Sequence, residues 1–248
     1  MSNNNLEKVI VGKNSSTLIK VHDFNSSWYG KKVGIITDVE FFSLPQKEQD
    51  DLLSLYEWVE YRTLLGAKLP LHQIHRSGFF RAETNLRFRL NLKSLNPTDS
   101  TDSLTIRTFE EENFRIDPTE IATFKQSHLY YLPGITTEMI TERFSLFGNR
   151  IIDNQPDRCM QILLNGEVQG WFLSEKTESG LNLTLGMAHK EAEIFGFVLF
   201  KKAFLTYAEW NEKIGYAAFS ASNGAAHNIY STLGARFVEP EGIWLRTH

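Results

Sequence analysis

Asn223 and the residues after it carry the clearest chemical signal in the chain. The stretch NGAAHNIYSTLGARF, Asn223 to Phe237, follows a β-like run from Gly215 to Ser220 and places a carboxamide where a helix begins. An Asn there can accept from the first unbonded N–H groups of the helix. Ala225, Ala226, Ile229 and Leu233 recur at helical spacing, and Gly234 follows as a left-handed stop. Upstream, the loop HKEAEIFG leads into a helix from Phe197 to Trp210, with Phe197, Phe200, Phe204 and Tyr207 along one face. The start of such a helix leaves N–H groups free, which suits phosphate oxygens. The strand before the loop, LNLTLGMA, contains Gly186, and a glycine inside a strand suggests a bulge or a close backbone approach. Ser127, His128, Tyr130 and Tyr131 form a further group. Aromatic faces suit a sugar or a base ring, and an imidazole can take a proton from an amine, directly or through water.

Other reactive side chains read as structural. Cys159 is the single cysteine and lies in the strand-like CMQILL with no histidine beside it, so a buried thiol is expected. His189, Glu191 and Glu193 share one loop, and His72 and His75 lie three apart on a short helix. Neither group makes a convincing metal site, and no metal is expected.

The order strand, loop, helix, strand, Asn-x-x-Ala helix, strand, with Tyr230 seven residues after Asn223, resembles the end of the GCN5-related N-acetyltransferases, the GNAT family. That resemblance implies acetyl-CoA as co-substrate and a set of roles. Amides of Phe195, Gly196, Phe197 and Val198 would meet the pyrophosphate, and Asn223 and Ala226 would flank the pantetheine arm. A backbone N–H in Leu185–Gly186–Met187 would polarise the acyl carbonyl, and Tyr230 would protonate the leaving thiolate. Ser127, Tyr130 and Tyr131 would wall the acceptor site, with His128 as the candidate base. The loop departs from the family pattern Arg/Gln-x-x-Gly-x-Gly/Ala, since it offers Glu191-x-x-Ile194-x-Gly196. FNSSWYGKKVG and SGFFRAETNLRFRL look like features of two-domain bacterial members whose first half lacks a cofactor site. Some of these acetylate nucleotide-linked amino-deoxysugars, so the resemblance implies a primary amine as acceptor, with a dTDP-linked amino-deoxysugar as the leading case. Another small amine, such as an amino acid or an antibiotic precursor, stays open. So does a degenerate member that binds without catalysing.

These residues need a scaffold, and the rest of the chain supplies its outline. Leu6 to Val11 and Ser16 to Val21 read as a strand pair around Lys13-Asn14. A helix is expected from Pro45 to about Leu55, a strand in YEWVEYRT, a short helix in LHQIHR stopped at Gly78, and a long strand through Leu86, Phe88 and Leu90. Lys93 to Ser103 is rich in Pro, Ser, Thr, Asn and Asp and reads as a linker. The expected division is 1–93, a truncated GNAT-like domain; 94–103, linker; and 104–248, the catalytic domain. In the second part SLTIRTF is a strand, Asp117-Pro118 opens a helix to about Gln126, and Thr136 to Phe147 is another helix. CMQILLNGEVQGWFLSE is a hairpin turning at Asn165-Gly166, and strands near 237–239 and 243–246 form a closing pair. The expected class is α/β (α+β), a mixed, mostly antiparallel sheet flanked by helices.

Composition limits the partners. Of 248 residues 42% are hydrophobic and 23% charged, with a net charge of -4. The sequence pI is about 6.0 and the mean hydropathy -0.29. No Lys/Arg block points to nucleic acid or an anionic membrane. No apolar run approaches the roughly 20 residues of a membrane span, and MSNNNLEKVIVG lacks a signal-peptide core. A cytoplasmic chain acting on a small molecule is expected, alone or as a homodimer.

Overall fold

The computed structural model describes residues 18–66, 68–96 and 101–247. The strand expected at Leu6 to Val11 and the turn at Lys13-Asn14 lie outside them. The chain forms two compact units, 1–84 with 241–248, and 85–240. The division falls inside a strand, between Thr84 and Asn85, whereas composition placed it at 94–103. That linker begins at the end of a turn of 3-10 helix, Leu92–Ser94, and its Thr101 is buried. The last strand of the sequence belongs to the first unit.

In the first unit the strands run in the order β1 (Ile19–Val21), β2 (Val33–Ile36), β3 (Trp58–Leu64) and β11 (Glu241–Thr247). The β2–β3 pair is parallel; β1–β2 and β3–β11 are antiparallel. The helices are α1 (Asp23–Tyr29), α2 (Gln46–Leu53) and α3 (Leu71–Arg76). Phe41, Phe42, Tyr61, Ile74, Phe79 and Trp244 fill the core, with Phe42 edge-on to Phe41, Tyr61 and Phe79 at 5.0–5.5 Å. Helix α1 occupies most of the stretch FNSSWYG. Its cap is the His22 imidazole, which accepts from Asn25 N–H at 3.3 Å, and Gly30 ends it at φ 74°.

In the second unit β4 (Phe80–Asn91, of which 85–91 lie here) pairs with β9 (Ile214–Ser220) and with the short β10 (Arg236–Phe237). Beyond β9 follow β8 (Gly180–Ala188), β7 (Glu167–Thr177), β6 (Cys159–Leu164) and β5 (Leu104–Thr108). Every pair is antiparallel except β8–β9. Asn165 at φ 52° and Gly166 at φ 88° make the expected two-residue hairpin turn. One core lies between the sheet and helices α5 (Gly196–Glu209) and α6 (Gly224–Thr232). The other includes Ile151 and Ile152 of α4 (Thr137–Asn154), together with Trp171, Leu173 and Met187.

Two expectations fail here for the same reason, a long-range backbone partner. No helix forms at 117–126. The chain makes a single turn at 118–120, closed by Glu120 N–H on Asp117 O at 3.1 Å, and then runs without helix, because Ala122 N–H bonds Ala188 O at 3.0 Å while Ser145 and Asn149 of α4 hold the backbone of Ile116 ahead of it. Ile121 forms a bridge with His189. The expected two helices between the first strands are therefore one, α4. The closing strands do not pair with each other either, because β10 joins β4 and β11 joins β3.

Candidate functional site

The site is built around β8. Leu173 opposes Leu185, and Glu175 opposes Asn182, so β8 spends one residue more than β7 between these pairs. That extra residue, at Leu183–Thr184, is a β-bulge, and it inverts the side-chain alternation beyond it. Leu181 and Leu183 accordingly join the core under α5 and α6, while Leu185 and Met187 join the core on the α4 side. Gly186 turns toward α5, where an added Cβ would meet Phe172 at 3.0 Å and Phe200 at 3.1 Å. Strand β8 bonds β9 only at Leu181↔Gly215 and Asn182↔Tyr216, and the two strands then part. His189 N–H bonds Gln169 O on β7, so strand alternation sends the N–H and C=O of Ala188 and Gly186 the other way, into the gap. The Ala188 carbonyl finds Ala122 there, while the Gly186 N–H has no acceptor among the described residues.

Tyr230 stands beside this gap. Asn223 caps α6 as expected, its Oδ1 accepting from Ala226 N–H at 3.0 Å, so that amide is committed within the helix. Two turns on, the Tyr230 ring is 7% exposed and packed by Phe88, Phe219, Phe200 and Phe204 at centroid distances of 4.1–6.1 Å. Phe172, Ser174, Gly186, Phe200, Tyr207 and Tyr230 border a small cavity of about 10 Å³, room for about one water. The two phenols on it differ. Tyr207 Oη accepts from Ser174 Oγ at 2.9 Å and donates to Arg158 O at 3.2 Å. The Tyr230 hydroxyl has no partner among the described residues. Burial pushes its pKa well above the ordinary tyrosine value, so it is held neutral as a hydrogen-bond donor.

The loop from His189 to Phe195 leads into α5, and its amides divide sharply. Lys190 N–H bonds Glu120 O at 2.7 Å, and Ala192 N–H bonds His189 O at 3.1 Å. Glu191 N–H bonds His189 Nδ1 at 3.2 Å, and Glu193 N–H bonds Gln169 Oε1 at 2.8 Å. Val198 N–H returns to Phe195 O at 2.9 Å. The N–H groups of Ile194, Phe195, Gly196 and Phe197 have no acceptor among the described residues, and no side chain caps α5. An added Cβ on Gly196 would meet only Ile229 Cδ1, at 3.4 Å. Ile194, where the GNAT pattern has glycine, packs against the α5–α6 core, and Glu191 and Glu193 are exposed. Phe195 is 86% exposed.

No protein-family model matches the chain, and no curated protein matches it. Solved structures do. A GCN5-related N-acetyltransferase from Sphaerobacter thermophilus is similar at TM-score 0.59 and 13% identity, over 92% of this chain and 76% of its own. A functionally unknown conserved protein from Staphylococcus epidermidis gives 0.55 at 12% identity, over 88% and 85%. A tandem GNAT protein from the clavulanic acid biosynthesis pathway gives 0.52 at 11% identity, over 87% and 75%. The fold is that of the GCN5-related N-acetyltransferases.

Within this GNAT fold the segment expected to wall the acceptor is a 3-10 turn, His128–Tyr131. Ser127 Oγ accepts from Leu129 N–H at 3.3 Å, and Tyr130 Oη donates to Phe124 O at 2.7 Å, so both hydroxyls shape the turn itself. His128 is 9% exposed and Tyr131 62%. Cys159 is fully buried, and burial pushes its thiol up to about 12. Among the described residues no three His, Cys, Asp or Glu side chains gather as a metal site, and no helix is long and apolar enough to cross a membrane. One residue that shapes the loop has no signal in the sequence. Gln169 is the extra residue of a bulge in β7, between the pairs Ile162↔Gly170 and Leu163↔Val168, and alternation around a tight hairpin does not announce a bulge.

Proposed function

We propose that this chain transfers an acetyl group from acetyl-CoA to a primary amine. The observation that carries the proposal is a pair of donors unpaired among the described residues, Gly186 N–H and Tyr230 Oη–H, on residues that border one cavity where β8 leaves β9. An acyl transfer develops negative charge on the carbonyl oxygen and then on sulfur, and one fixed donor for each is what the reaction uses. The neutral amine attacks the thioester carbon in a ternary complex, forming the C–N bond, and Gly186 N–H holds the oxyanion. The C–S bond then breaks, with Tyr230 donating a hydrogen bond to the departing sulfur. An unperturbed phenol, with a pKa of about 10, is already a weaker acid than a thiol at about 8.5, and burial of Tyr230 widens that difference. Tyr230 therefore stabilises the thiolate by hydrogen bonding, and the sulfur takes its proton finally from solvent. The ammonium proton leaves through His128 or a water chain. The free amides of 194–197 would receive the diphosphate of the donor. The acceptor proposed first is a dTDP-linked 4-amino-4,6-dideoxygalactose, with other small amines as the alternative class.

The test combines calorimetric titration with acetyl-CoA and a thiol-release assay against a panel of amines that includes the nucleotide sugar. Micromolar binding and amine-dependent release of CoA are expected. A second reading, a binding module that no longer catalyses, draws on Ile194, Glu191 and Glu193 in the loop. It predicts binding without release for every amine. Absence of binding would remove both.

A further inference from the structure

We infer that Gln169 is a positioning residue for the diphosphate end of the donor, replacing what a glycine-rich loop does in the GNAT pattern; this rests on the acetyl-donor reading above. A glycine-rich loop works because its backbone is free to turn its N–H groups toward phosphate oxygens. Here Ile194 is anchored in the core, and the loop carries exposed carboxylates at Glu191 and Glu193. Something else must fix which amides face the ligand. Gln169 is 3% exposed and holds the loop at two points. Its carbonyl accepts from His189 N–H at 2.9 Å, and its side-chain Oε1 accepts from Glu193 N–H at 2.8 Å. The carboxamide orientation is forced, since an N–H can bond only the oxygen.

The β7 bulge brings this side chain into place, and the crowding beside it is severe. An added Cβ on Gly170 would stand 2.5 Å from Met187 O. From the other side Glu120 O takes Lys190 N–H, and the Ile121–His189 bridge secures the loop start. The bond to Glu193 ends the run of committed amides, and the free ones begin at the next residue. Gln169 thus sets both the position and the starting register of the four open N–H groups of Ile194 to Phe197. It touches neither the thioester nor the acceptor.

The experiment compares Gln169→Met with wild type using acetyl-CoA and acetyl-pantetheine, which lacks the nucleotide and its phosphates. Methionine keeps the length and unbranched shape and removes the acceptor. The wild type is expected to have a lower KM for acetyl-CoA than for acetyl-pantetheine. In Gln169→Met the KM for acetyl-CoA should rise about 3- to 10-fold, as for one lost hydrogen bond. The KM for acetyl-pantetheine and kcat with either donor should stay as in wild type. Equal loss with both donors, or no change with either, overturns the inference. A wild type that uses neither donor and binds no CoA overturns the acetyl-donor reading instead. Should Gln169→Met not fold, amide exchange in the wild type decides. CoA must slow exchange at 194–197 and leave the already bonded Glu193 amide unchanged; protection elsewhere rejects the role.

Discussion

Tyr230→Phe separates the proposed chemistry from packing, because the two predict shifts of opposite kind. The substitution keeps the ring among Phe88, Phe200, Phe204 and Phe219 and deletes a hydroxyl that bonds none of the described residues. A hydrogen bond to a charged group is worth about 1.5–3 kcal/mol. If the hydroxyl meets sulfur only as charge develops, kcat should fall by about 10- to 150-fold. The KM for acetyl-CoA should hardly move. In the resting protein the same hydroxyl is largely desolvated without a partner among the described residues, with room for about one water, so its removal should stabilise the fold by up to about 1 kcal/mol. For a unit of this size that raises Tm by about 2–4 °C. The assay is thiol release at saturating acceptor, with thermal melting of the same samples. Tyr207→Phe is the control: its hydroxyl bridges Ser174 and Arg158, so the variant should lose about 1–3 kcal/mol of stability. A Tyr230→Phe protein that melts lower than wild type and turns over normally would refute the argument, since the hydroxyl would then be bonded in the fold and idle in the reaction.

Other outcomes follow from single contacts. Gly196→Val should abolish CoA binding in calorimetry with little change in Tm, because the added Cβ meets only Ile229 within the protein while the side chain enters the proposed phosphate position. Gly170→Ala should cost about 1–3 kcal/mol in denaturant melts, as its Cβ would press on Met187 O, whereas Gly224→Ala, with nothing within 4 Å, should gain about 0.4–1 kcal/mol. The Cys159 thiol is raised from an ordinary 9.0 to about 12, so between these values the unfolded chain loses this proton and the folded chain keeps it. Stability must therefore fall as pH rises through that window, by up to about 1.4 kcal/mol per pH unit, and the alkaline slope of Cys159→Ala should be flatter by that amount.

What was legible in the sequence was local. Asn165-Gly166, Asn223, Gly78 and Gly234 act through their own backbone or the next turn, and each stands where its type required. The Asp117-Pro118 signal was equally strong and equally local, and it yields one turn at 118–120 that does not continue as a helix. Ser145, Asn149 and Ala188, distant in sequence, supply its backbone partners. Helix α1 was missed because a histidine caps it and its seven residues show no period. The candidate site was legible in outline, since β8, α5 and α6 carry their own patterns. The face of Gly186 was not, because it depends on one extra residue at Leu183–Thr184 that regular alternation hides. Gln169 was invisible for the same reason.

The place of β11 in the first unit has a consequence for how the chain is made. Strand β3 ends at Leu64, and the residue that pairs with it, Glu241, leaves the ribosome long afterwards. At about 5–20 residues per second, the delay is roughly 10–35 s. During that time the whole of 85–240 is synthesised and can fold, while the earlier segment waits with one edge of β3 and the Trp244 position of its core unfilled. The first unit is thus completed after the second. Premature termination ahead of Glu241 would damage the first unit and spare the second, and nascent-chain chaperones should bind the edge of β3 until β11 is made.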